Sequence, residues 1–263
     1  MRPLILLCND DGIFSPGLHA LANAVAPLGD LLIAAPHEQQ TAMGRSKPRK
    51  YDSGIIEAVE IEVCGKPHPA YSVRCSPALT VAHAVTELAS RKVDLCLSGI
   101  NYGENVGFSL TASGTIGAAL EAASFGIPAL ALSLETPLEI NFLHDYAPLQ
   151  WDAAMHFAAH FAEQTLRDGL PEGVALLNIN VPNDATPQTP TRMTIQSRSN
   201  YYNLHGSPHR SLHEPHILHE TKGAPASELE PNSDVLAVAY DRVLSYTPMS
   251  GLLTAHHVMI PQG

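Results

Sequence analysis

Asp10 and Asp11 stand side by side, directly after the apolar run Leu4-Ile5-Leu6-Leu7-Cys8 and before Gly12. Adjacent carboxylates repel, and no Lys or Arg lies near them in the chain. A hard divalent cation would hold both, since carboxylate oxygens suit Mg²⁺, Mn²⁺ or Ca²⁺. The plainer alternative is a solvent-exposed turn, for which Asp-Asp-Gly is ordinary chemistry. A second stretch, Gly99-Ile100-Asn101-Tyr102-Gly103-Glu104-Asn105-Val106-Gly107, is rich in glycine and asparagine. Such loops let backbone N–H groups converge on an anion. Ser113-Gly114-Thr115 then opens a run of small residues, and a helix amino terminus beside that loop would favour phosphate.

These groups need elements that bring them together. Leu4–Cys8 reads as a strand buried on both faces, as in a parallel sheet. Pro16, with Leu18, Leu21, Ala22 and Val25 at helical spacing, predicts a helix over about 16–28. A second strand, Leu31–Pro36, ends in His37-Glu38-Gln39-Gln40-Thr41. Extended pieces follow in 45–75, then a helix over about 77–91 and a strand over Val93–Ser98. A small-residue helix runs from Ile116 to Phe125, with a strand at Ala129–Leu134, a long amphipathic helix at 148–167 and a strand at Ala175–Val181. This alternation predicts an α/β fold, a Rossmann-like, doubly wound and mostly parallel sheet. Ligands of such sheets bind at the carboxyl ends of the strands, where Asp10 and Asp11 fall. Neither Gly-x-Gly-x-x-Gly after the first strand nor a phosphate-binding lysine loop is present, which argues against a dehydrogenase or a Walker-type nucleotidase.

The 263 residues carry a net charge of −11, with 45% apolar and 16% charged residues. That charge disfavours a nucleic acid polymer as partner, while a small phosphorylated ligand remains open if a metal supplies positive charge. Cys8, Cys64, Cys75 and Cys96 show no paired spacing and read as reduced core residues of a cytoplasmic protein. The apolar run after Met1-Arg2 is too short for a signal peptide, and no stretch of about 20 apolar residues predicts a membrane span.

Two regions are expected: a catalytic core, 1–182, and an extension, 183–263. In the extension, 183–233 is dominated by Pro, Thr, Ser, Asn and His and reads as an oligomerisation arm, too long for an ordinary loop. Its histidines (His205, His209, His213, His216 and His219) lack the Cys or carboxylate partners that would complete a zinc site. Leu236–Tyr240 and Val243–Pro248 read as a closing pair of strands, and Thr254-Ala255-His256-His257 forms the tail.

Asn9-Asp10-Asp11-Gly12-Ile13 with Pro16-Gly17, then Ser98-Gly99-Ile100-Asn101-x-Gly103-x-Asn105-x-Gly107, then Ser113-Gly114-Thr115, together resemble the SurE family. Asn178-Ile179-Asn180-Val181-Pro182, Ser233-Asp234, Tyr246-Thr247-Pro248 and Thr254-Ala255-His256 echo later family segments. The resemblance implies a metal-dependent phosphomonoesterase that hydrolyses nucleoside monophosphates, a 5′-nucleotidase. It assigns a divalent cation, Mg or Mn, to Asp10, Asp11, Thr41 and Asn101, with Thr41 where the family usually has serine. Asp10 or Asp11 is the expected proton acceptor. Phosphate contacts are expected from Asn9, Gly103, Asn105, Ser113, Gly114 and Thr115. The resemblance also implies a homodimer or homotetramer built through the extension.

The sequence departs from the family pattern in places. The segment after the second strand, usually basic, is His37-Glu38-Gln39-Gln40 here. Leu79 replaces an acid in Cys75-Ser76-Pro77-Ala78-Leu79-Thr80-Val81, and another family acid falls near Leu252. The alternative is therefore a SurE-like nucleotide- or metal-binding protein with altered substrate or little turnover. A phospho-signalling receiver also pairs acids after its first strand, but needs an Asp where this chain has Ser98-Gly99-Ile100-Asn101.

Overall fold

The computed structural model describes residues 2–48, 53–140 and 146–252. Its strands are β1 (Leu4–Cys8), β2 (Asp30–Pro36), β3 (Ile56–Val63), β4 (Lys66–Val73), β5 (Leu95–Tyr102), β6 (Ala129–Leu134), β7 (Leu176–Val181), β8 (Thr191–Met193), β9 (Tyr202–His205), β10 (His219–Lys222) and β11 (Leu244–Met249). The main helices are α1 (Pro16–Val25), α2 (Pro77–His83), α3 (Gly114–Ser124) and α4 (Asp152–Asp168). Nine strands form one sheet in the order β3-β4-β2-β1-β5-β6-β7-β11-β8, and β9 and β10 make a separate hairpin. Pairing from β4 through β2, β1, β5 and β6 to β7 is parallel, and β3 and β11 pair antiparallel to β4 and β7. The expected doubly wound α/β sheet is thus present. Its strand order reverses between β1 and β5, which opens a crevice at their carboxyl ends.

Alternation along the strands divides the core. Ile5 and Leu7 of β1, with Leu95 and Leu97 of β5, face a layer built by α1 and α4. Leu4, Leu6 and Cys8, with Cys96, face a layer built by α3 and the residues around α2. A strand buried on both faces reads as an unbroken apolar run, which is why β1 was legible. Ser15 caps α1 by accepting from Leu18 N at 3.2 Å, and Ser113 caps α3 by accepting from Ile116 N at 3.2 Å.

Three expectations are corrected. First, β5 does not stop at Ser98 but continues to Tyr102, with a register shift between Ser98 and Asn101. Gly99 makes this bulge possible: its φ is +138°, and a Cβ there would meet Leu132 O at 2.3 Å. Second, Leu236–Tyr240 is a π-helical turn rather than a strand. A five-residue apolar run carries no period of its own, and Ser233 starts the turn by accepting from Leu236 N. Third, Cys64 is exposed in the β3–β4 turn with φ +51°, while Cys8, Cys75 and Cys96 are buried; all four are free.

The extension reaches the sheet and the core. β11 and β8 complete one side of the sheet, and Tyr201, Leu229, Val235 and Val238 bury a third cluster around Val106. Among the described residues no group of three or more His, Cys, Asp or Glu is placed to hold a metal, and no helix is long and apolar enough to cross a membrane. The expected tail, Thr254-Ala255-His256-His257, lies outside the described residues.

Candidate active site

One cavity opens at the strand-order reversal. Of the residues singled out in the sequence, Asp10, Asp11, Thr41, Asn101, Gly103, Asn105 and Ser113 line it, together with Gln39, Ser109, Tyr202 and Glu220. The peptide after β1 delivers the two aspartates, the bulged end of β5 delivers Asn101, and the loop after β2 delivers Thr41. Gln40 N donates to Asp10 O at 2.7 Å, which draws that last loop against the β1 end. The loop is also tied to α3. Arg45 and Lys47 reach the buried Glu121 at 2.7 and 2.6 Å, and a Cβ on Gly117 would sit 2.0 Å from Gly44 O.

Both carboxylates are buried, Asp10 at 6% and Asp11 at 3% exposure. Thr115 Oγ1 donates to Asp10 Oδ1 at 2.6 Å. Asp11 accepts from Tyr102 N at 3.2 Å and from Gln39 Nε2 at 3.3 Å, and Tyr146 donates its hydroxyl to the Asp11 carbonyl at 2.7 Å. Among the described residues no Lys or Arg pairs with either aspartate. Burial therefore raises both well above the ordinary carboxylate range, and for Asp11 the neighbouring Asp10 charge adds to it. Asn101 gives its Nδ2 to the carbonyls of Tyr102 and Gly103, at 3.2 and 2.7 Å, so its oxygen is the atom left to offer the cavity. Two carboxylates, an amide oxygen and the Thr41 hydroxyl make an all-oxygen donor set, the kind a hard divalent cation takes.

The residues expected at the phosphate have partners within the protein. Asn9 does not line the cavity: its Nδ2 donates to Gly12 O at 3.0 Å and Ser15 Oγ at 2.8 Å, shaping the turn that carries the aspartates. Gly114 and Thr115 serve Asp10. Their backbone N–H groups hold its carboxylate, and a Cβ on Gly114 would lie 2.7 Å from Asp10 Oδ2. The helix amino terminus thus spends its positive end on a protein carboxylate.

The glycine-rich loop is likewise turned inward. Gly103 N donates to Leu134 O at 2.9 Å, Asn105 N to Asn180 Oδ1 at 2.7 Å and Gly107 N to Asp234 Oδ2 at 3.0 Å. Asn105 also donates its Nδ2 to Ser133 at 2.9 Å. A buried loop must pair its backbone groups somewhere, and here β6, β7 and the extension supply the partners. Ser113 remains at the cavity wall. Its oxygen already accepts from Ile116, so its proton is free to be donated.

Gln39, Tyr102, Tyr146, Tyr202 and Glu220 were not anticipated. Gln39 stood out in sequence only as a departure, and it proves to contact Asp11. Leu79, the other departure in that region, does not line the cavity.

The chain matches the family model described as "Survival protein SurE" over residues 5–203. It is 38% identical over 255 residues to "5'-nucleotidase SurE" of Methanocella arvoryzae, covering 95% of this chain and 93% of the relative. It is 36% identical over 254 residues to the protein of the same name from Thermococcus gammatolerans, covering 95% and 91%. The solved structure of the SurE protein from Aquifex aeolicus superposes with a TM-score of 0.73 at 27% identity, covering 98% of this chain and 97% of that one. With the sheet, the paired aspartates and the bulged asparagine strand in place, the conclusion is that this chain belongs to the SurE family.

Proposed function

We propose that the protein is a nucleotide phosphatase, a 5′-nucleotidase whose turnover requires a divalent cation, Mg²⁺ or Mn²⁺, held by Asp10, Asp11, Asn101 and Thr41. One observation carries the cation requirement. Among the described residues that line the cavity there is no Lys or Arg, while Asp10, Asp11 and Glu220 are there, and Glu104 is there already paired with Lys222. A phosphate dianion could not enter such a cavity without added positive charge. The names of the relatives, 5′-nucleotidase SurE at 36–38% identity, support the substrate class.

When bound, the cation supplies a Lewis acid for a phosphoryl oxygen and lowers the pKa of a water. The chain's own groups do the rest. Thr115 and the start of α3 fix the Asp10 carboxylate, and Gln39 and Tyr102 N fix that of Asp11. Either carboxylate can accept the proton of an attacking water. The Ser113 hydroxyl is the donor available for a phosphoryl oxygen whose charge grows in the transition state.

A homodimer or homotetramer and a cytoplasmic location belong to the same proposal. The exposed Met193, Ile195, Leu212, Ile217 and Leu252 support the first, and the four free cysteines the second. Phosphate release from a panel of nucleoside monophosphates, with Mg²⁺ or Mn²⁺ and with EDTA, tests the activity. Full turnover in thoroughly demetallated protein would overturn the cation requirement.

A further inference from the structure

In the β9–β10 hairpin Tyr202 stands opposite Lys222, and Leu204 opposite Glu220. Opposed residues of an antiparallel pair share a face, as do alternate residues along each strand. These four side chains therefore form one face, and two of them, Tyr202 and Glu220, line the cavity that holds Asp10, Asp11 and Asn101. The hairpin is fixed in that orientation. Lys222 Nζ lies 2.6 Å from Glu104 Oε1 and donates to Thr136 O at 2.8 Å. The Tyr202 hydroxyl donates to Glu104 O at 3.0 Å, and the Tyr202 ring meets edge-on the ring of Tyr201, which is buried in the third cluster.

We propose that this hairpin face is the nucleoside-reading wall of the site, with the Tyr202 ring as a flat surface for the base and the Glu220 carboxylate as acceptor for N–H or O–H donors of the nucleoside. The inference rests on the phosphatase proposed above. A monoester held at the strand ends projects its alcohol portion into the remaining cavity, and there the hairpin contributes one ring and one carboxylate. A ring whose hydroxyl is already bonded to Glu104 O is pre-ordered for stacking. The Glu220 carboxylate disfavours further phosphates and favours a neutral, donor-bearing group. A nucleoside carrying a single phosphate fits both features.

The test compares kcat/KM for adenosine 5′-monophosphate with that for glycerol 2-phosphate, which has no base or ring. In the wild type the ratio should strongly favour the nucleotide. Tyr202→Leu and Glu220→Gln should each reduce that ratio by about tenfold, the scale of one stacked base or one lost polar contact. Both should also weaken competitive inhibition by adenosine, whereas Tyr202→Phe, which keeps the ring, should retain most of the ratio. Parallel loss on both substrates, or a wild-type ratio near one, overturns the nucleoside wall and leaves the phosphatase standing. Failure of the wild type to hydrolyse either substrate with Mg²⁺ or Mn²⁺ overturns both.

Discussion

The strand-end wall and the hairpin wall of the cavity are held by different means. At the strand ends Asp10 and Asp11 are almost fully buried, and most of their supports are backbone or short side chains: Thr115, Tyr102 N and the first N–H groups of α3. On the hairpin side Leu204 is 62% exposed, and the anchors are long side chains, Lys222 and Tyr202, which reach Glu104 from about 100 or more positions away along the chain. The first wall comes with the sheet, because any chain that forms these parallel strands puts the same peptide at their ends. The second depends on a few long side-chain contacts, so it can vary without disturbing the core. Charge sharpens the contrast. Among the described residues no cationic side chain pairs with the buried aspartates, while the buried Glu104 has Lys222, whose charge opposes the upward push of burial on its pKa.

If that contrast is right, Asp11→Asn should give the largest effect. Removing one of the two charges that hold the cation should cut turnover by at least about a thousandfold, roughly 4 kcal/mol in the barrier. Assays across a metal titration would check this, and activity restored at high Mn²⁺ would shift the loss from chemistry to binding.

Next comes Lys222→Met, which strands Glu104 as an unpaired buried charge. A loss of about 3 kcal/mol in stability is expected, read by thermal or denaturant melts. Glu104→Gln in the same chain should recover much of it. Equal stability of Lys222→Met and the wild type would mean that the hairpin is not clamped as described.

Thr41 gives a smaller step. Thr41→Ser keeps the oxygen and should stay within a few-fold, while Thr41→Val should weaken metal affinity or turnover by roughly tenfold, about 1.4 kcal/mol. Equal metal affinity and turnover in the two variants would remove Thr41 from the donor set.

The smallest effect concerns the metal-free protein. The folded-state pKa values of Asp10 and Asp11 are raised above the unfolded ones, so these groups favour the fold while both states are protonated, below about pH 4. That contribution is lost as pH rises through the raised values. Melting temperature in EDTA should therefore carry a component that falls with increasing pH, and Mg²⁺ should offset it. At pH 8 without metal, Asp11→Asn should melt higher than wild type, by about 3 °C for each kcal/mol relieved. A lower melting temperature for that variant would show that the pair is already compensated within the protein.

The amino-acid sequence by itself determined the sheet and the acids at its ends. Doubly buried strands leave unbroken apolar runs, caps and glycines punctuate them, and Asp10-Asp11 sits where one such run stops. These are local signals, carried by neighbours in the chain, and they fixed β1, β6 and α3 to within about two residues. The tertiary structure alone decided how the polar groups are spent. The N–H groups of Gly103, Asn105 and Gly107 go to Leu134, Asn180 and Asp234, and the start of α3 goes to Asp10, so the anion cradle expected from the glycines is satisfied from within. It also decided that Tyr202 and Glu220 reach the cavity at all. Hydrogen-bond partners are set by segments about 30 to 130 positions apart and cavity walls by segments up to 210 apart, and neither periodicity nor a short motif carries information over that distance.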